Sequence, residues 1–177
     1  MNPSHWFLLS AAVSLANAVN AQEARGVYLE EANGVRIKIA QLTENDDGAY
    51  RVDMETAPFN DHFLSMRPFK CLQGPSTHWC HVPYPYENIR NISFDTTDLE
   101  YDFLFVWKEA GEYGINMWNG VYYKIVRDGD RLVGTLHEMD MGLLAVPPEQ
   151  GELRPIKNIH LQEVDTDSHW LPRLMIE

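Results

Sequence analysis

The densest run of chemically capable side chains is Thr77-His78-Trp79-Cys80-His81, followed at once by Pro83-Tyr84-Pro85-Tyr86. Imidazole and thiolate are good ligands for zinc or copper. A metal centre on His78 and His81, or a metal-dependent hydrolase built on it, would need further donors, and His62, His137, Glu138 and Asp140 are the candidates. Cys80 has a competing use, because Cys71 is the only other cysteine. An even count at close spacing reads as a bridge in an oxidising compartment. A Cys71–Cys80 bridge closes a loop of about ten residues and stabilises by roughly 2–3 kcal/mol. It also takes the thiolate out of the donor set. The expectation is therefore a disulfide and no cofactor, with a metal ion as the alternative.

Two further groups carry carboxylates. In His137-Glu138-Met139-Asp140, a strand would place Glu138 and Asp140 on one face, where a cation or acid–base pair could sit. A solvated strand end is the plainer reading. Asp95, Asp98, Glu100 and Asp102 form the other group. Clustered carboxylates raise one another's pKa values or attract calcium. The calcium-loop spacing is absent, so an exposed strand start is expected there. No Gly-x-Ser-x-Gly elbow and no phosphate-cradling glycine loop occurs, so no catalytic residue is assigned. Asn91-Ile92-Ser93 is a formal glycosylation triplet. Aromatic side chains combine apolar area with a polar handle. Trp79, Tyr84, Tyr86 and Trp118, together with His78 and His81, are accordingly the residues expected to meet a ligand or partner.

These residues must be held by β-structure. Val35, Ile37 and Ile39 alternate with Arg36 and Lys38, and Asn33-Gly34 separates them from Val27-Tyr28-Leu29. Asp46-Asp47-Gly48 makes the next turn, and Tyr50, Val52 and Met54 alternate after it, giving a three-stranded meander. Residues 56–87 hold Pro58, Pro68, Pro75, Pro83 and Pro85, and read as a long ordered loop. A strand is expected over 99–107, another over 113–118, and a hairpin at Asn119-Gly120 leads to 121–126. The turn Asp128-Gly129-Asp130 leads to 132–136. Residues 159–164 read as one more strand, and 168–172 as a short helical turn.

About eight short strands without βαβ alternation make an antiparallel up-and-down barrel or sandwich with little helix. In outline this resembles a small barrel of the lipocalin or calycin kind. The likeness is architectural, and no functional residue follows from it.

The apolar run Trp6–Ala16, with Val19-Asn20-Ala21 after it, reads as a cleaved secretory signal over residues 1–21. The run is too short to anchor in a bilayer, and residues 22–177 then form one β-rich domain with no membrane anchor. The destination is the periplasm or the medium. The formal charge of −12 argues against a nucleic-acid partner, whose phosphates it would repel. It allows a basic partner or a cation, and the partner expected from the aromatic loop is a protein or a small molecule. The leading expectation is an exported binding module, including an inhibitor or immunity-type protein against a basic enzyme. Alternatives are the metal-binding protein or hydrolase above, and a structural component of the cell envelope.

Overall fold

The computed structural model describes residues 23–63 and 67–177, so the expected signal over 1–21 lies outside the described residues. One antiparallel sheet organises them. The chain opens with β1 (Glu23–Glu30), β2 (Arg36–Glu44) and β3 (Tyr50–Met54), the expected meander. Its first turn is carried by Gly34 at φ +87°, a conformation that costs a glycine nothing, and by Asn33 Oδ1 accepting from the Val35 amide at 2.8 Å. Three strands follow inside the supposed long loop: β4 (Asn60–Phe63), β5 (Pro68–Gln73) and β6 (Thr77–His81). The prolines do not interrupt these strands. Pro68 starts one, Pro75 sits in the turn between β5 and β6, and Pro83 and Pro85 lie after β6, which are the positions a sheet tolerates.

The expected strand over 99–107 is a helix followed by a strand: α1 (Thr97–Asp102), then β7 (Phe105–Glu109). Apolar residues at 99, 101, 103 and 105 satisfy alternation. Yet Leu99 and Phe103, one helical turn apart, enter one core cluster while Tyr101 and Leu104 enter another. The apolar spacing fits either period, and in the helix the intervening Asp98 and Glu100 are buried against partners from elsewhere in the chain. The hairpin at Asn119-Gly120 is also corrected. Residues 113–118 form no strand, and Gly120 opens β8 (Gly120–Asp128). Its glycine answers a close approach, because a Cβ there would run into the Met139 carbonyl. The tight turn at Gly129-Asp130 joins β8 to β9 (Arg131–Met139) as expected. Later come β10 (Gln162–Glu163) and β11 (Arg173–Ile176).

The order along the sheet is β3-β2-β1-β11-β9-β8-β7-β6-β5-β4, with β10 paired to β9. The eleven strands exceed the eight expected, and the sheet is not closed, so it is not a complete barrel. Its two edge strands are consecutive in the chain, joined by residues 55–59. One core cluster unites Ile39 and Leu42 from one end with Leu72 and Trp79 from the other, so the sheet curls around it. Trp79, Phe105 and Tyr123 are buried on that inner face. A second cluster, with Tyr101, Val106, Tyr122 and Met139, covers the opposite face of the later strands.

Cys71 and Cys80 are directly opposed on β5 and β6, bonded, and fully buried. Replacing both with alanine is expected to lower stability by about 2–3 kcal/mol, the loop-closure contribution. Urea unfolding of the pair variant measures it; an unchanged midpoint would mean that strand pairing alone holds the hairpin. Among the described residues no helix is long and apolar enough to cross a membrane, which leaves strands unaddressed.

Candidate functional site

β6 ends at His81, and the chain runs on as an extended strap, Val82-Pro83-Tyr84-Pro85-Tyr86. Two prolines deny it a ladder partner on their own positions, so side chains fix it. The Val82 amide donates to the Leu104 carbonyl at 2.9 Å. The Tyr84 ring lies edge-on to Tyr101 at 4.6 Å and to Tyr86 at 5.6 Å. The Tyr86 hydroxyl donates to the Leu144 carbonyl at 2.8 Å. That carbonyl belongs to a 3-10 turn over Met141–Ala145, started by Asp140, whose Oδ1 accepts from the Gly142 amide at 2.7 Å. The Met141 amide donates to the Met117 carbonyl at 2.8 Å, bringing in the loop before β8.

Between the strap, the start of β5, Met117 and the 3-10 turn lies a cavity of about 540 Å³. Phe69, Val82, Pro83, Met117, Met141 and Leu144 give it an apolar wall, and among the described residues Arg67, Lys70 and His81 are its charged or titratable members. This volume and lining are those of a small-molecule pocket.

His81 sits at one side of the cavity with its Nε2 3.0 Å from the Asp102 carbonyl. Burial pushes its pKa below the usual histidine value, against the smaller upward pull of that carbonyl and of the Asp102 carboxylate. The neutral ring therefore donates Nε2–H to the carbonyl. The Asp102 carboxylate is held in turn by Arg90, with Nη2–Oδ1 at 2.9 Å, and by the Tyr50 hydroxyl at 2.9 Å. This ties the strap's origin to α1 and β3. Because the folded pKa of His81 lies below the unfolded one, its contribution is present above pH of about 6.5 and is lost as pH falls through the folded value. A His81→Gln variant should lose less stability between neutral pH and pH 5 than the wild type. Equal loss, measured by urea unfolding across pH, would discount His81 as the titrating group.

The other expected site residues scatter. His78 lies three residues from His81 on the same strand and so points to the opposite face. Its ring stacks 4.6 Å from His62, its Nδ1 is buried without a hydrogen-bond partner, and burial lowers its pKa, helped by His62 and Lys108. The two histidines of the motif therefore do not converge. Trp79 is a core residue, 1% exposed, and presents no surface to a partner. Tyr84 and Tyr86 pin the strap. Trp118 is 75% exposed, next to Met117 at the cavity. On β9, Glu138 Oε1 accepts from His169 Nε2 at 3.1 Å, whereas His137 turns its Nδ1 to the Thr135 carbonyl at 3.1 Å. Among the described residues no group of three or more His, Cys, Asp or Glu is placed to hold a metal ion.

The acidic group is not an exposed strand start, as expected, but a set of internal clamps on and beside α1. Arg154 bridges Asp95 at 2.9 Å and Asp98 at 2.8 Å. Glu100 is buried, accepting from the Tyr122 hydroxyl and from the Ile125 amide at 2.7 Å. A shallow hollow of about 640 Å³ lies over this region, with Lys124, Arg154 and Lys157 at its edge. All three cations already have partners, in Asn158, Asp98 and Glu152.

Arg67, Lys70, Phe69, Met117, Met141 and Leu144 were not among the expected site residues. One sequence signal points to the last two: Asp140 heads the apolar run Met141–Ala145, and Pro147-Pro148 ends it. No protein-family model matches this chain, and neither a curated protein nor a solved structure matches it.

Proposed function

We propose that this is an exported binding protein that holds a small, largely apolar ligand in the cavity between the 82–86 strap and the 141–145 turn. The observation that carries the reading is the lining itself: a largely apolar wall with a few polar groups in it. Rigidity supports it, because tyrosine rings and hydroxyls brace the strap before any ligand arrives, which limits the ordering cost of binding. Export rests on residues 1–21, and the Cys71–Cys80 bridge fits an oxidising compartment such as the periplasm.

The test uses the neutral fluorescent probe N-phenyl-1-naphthylamine and the purified mature chain. Saturable binding is expected, and Ala145→Trp, which puts an indole against the cavity from an exposed position, should weaken it at least tenfold at unchanged thermal stability. Undiminished binding by that variant would remove the cavity as the site. A protein partner is the second reading, favoured by the exposed Trp118 and Tyr113 on one loop. Loss of a partner on Trp118→Ala, with probe binding retained, would favour it.

A further inference from the structure

We propose that the ligand is a single-chain anionic amphiphile of the fatty-acid kind, its carboxylate meeting Arg67 and Lys70 and its chain lying along Phe69, Met117, Met141 and Leu144. This rests on the reading of the cavity as the ligand site and names what that site selects. The protein has 26 acidic and 14 basic residues, yet the lining of this cavity has two of the basic residues and no acidic one. On a protein of this acidity, two cations at the rim of an apolar cavity favour a negatively charged group there.

Among the described residues the lining has no side-chain hydroxyl or amide. A sugar or a neutral polyol would leave its own hydroxyls unpaired against such a wall, and that is a strong ground for rejection. His81 is held toward the neutral form by burial, and its Nε2–H is used by the Asp102 carbonyl, so the head-group role falls to Arg67 and Lys70. Two cations border the described lining, the guanidinium of Arg67 and the ammonium of Lys70, both on exposed residues and both already engaged within the protein. Lys70 pairs with Asp61 at 2.8 Å, but both side chains are more than half exposed, at 57% and 53%. An ion pair so well solvated is weakly held, so the ammonium can exchange Asp61 for a ligand carboxylate at little cost. A volume of about 540 Å³ is modest among ligand pockets, which favours one chain over two.

The test is calorimetric titration of the mature chain with decanoate and with decanol at low salt, repeated on Arg67→Gln/Lys70→Gln. Decanoate should bind at least tenfold more tightly than decanol. In the double variant decanoate should fall to the affinity of decanol, while decanol binding, which reports on the fold and the apolar wall, stays the same. Equal binding of the two ligands by the wild type, or a preference that survives the double substitution, overturns the anionic assignment and leaves the cavity reading standing. Absence of binding by both ligands overturns the two together.

Discussion

Trp79→Ala is expected to lower the free energy of unfolding by about 3–5 kcal/mol, the range for truncating a buried tryptophan. The indole is 1% exposed and sits 6.5 Å from both Phe105 and Tyr123, ring centre to ring centre, with the His169 ring edge-on at 6.2 Å. Across the hairpin it pairs with Leu72, and on the other side with Trp107. Leu72, Phe105, Trp107 and Tyr123 sit on hydrogen-bonded strands and cannot move in to fill the space. Denaturant unfolding measures the loss, and Trp79→Phe, which keeps an aromatic ring, should lose less. A cost below about 1 kcal/mol for the alanine variant would contradict the placement of Trp79 in the core, and would reinstate it as a surface contact.

Glu100→Ala is the second large effect. The carboxylate accepts from the Tyr122 hydroxyl and the Ile125 amide, and both donors would be left buried without an acceptor. Each orphaned donor costs about 1–3 kcal/mol, so a loss of about 2–6 kcal/mol is expected. Burial raises the Glu100 pKa, against the downward pull of those two hydrogen bonds. A carboxyl whose folded pKa exceeds its unfolded one contributes stability at low pH and loses it as pH rises through the folded value. Glu100→Gln, which keeps one acceptor and cannot ionise, should cost less than the alanine at low pH. It should also be free of that part of the decline on going to neutral pH. The sign is opposite to that of His81, so the two variants separate the contributions. A Glu100→Gln profile parallel to the wild type would mean that the carboxyl does not ionise in the range.

Much of the sheet was legible from the chain, for local reasons. β1 to β3 and the β8–β9 hairpin each combine alternation with a glycine-bearing turn, and a half-buried strand leaves just that trace. β11 left none, because Leu174, Met175 and Ile176 are all buried between β1 and β9, with no polar face to mark the period. α1 was hidden for the converse reason. Its acidic residues look solvent-facing, but Arg154, Arg90, Tyr122 and a backbone amide satisfy them, and those partners lie elsewhere in the chain.

The same division holds at the site. The prolines and tyrosines of the strap drew attention by composition, and His81 came with them. Trp79 differs from the expectation because its position on β6 turns the indole into the core, a placement set by strands far away in sequence. Met117, Met141 and Arg67 are far apart in sequence and meet only because β5, β8 and β9 belong to one sheet. No local pattern could bring them together.

The cavity is best tested by the methyl resonances of 13C-methyl methionine as the mature chain is titrated with decanoate. Met117 and Met141 line the cavity, whereas Met54 borders a separate small cavity beside Arg90 and Met175 lies in β11. The account predicts saturable shifts at Met117 and Met141, with Met54 and Met175 unmoved. Shifts confined to Met54 or Met175, or none at any methionine at saturating ligand, would contradict it.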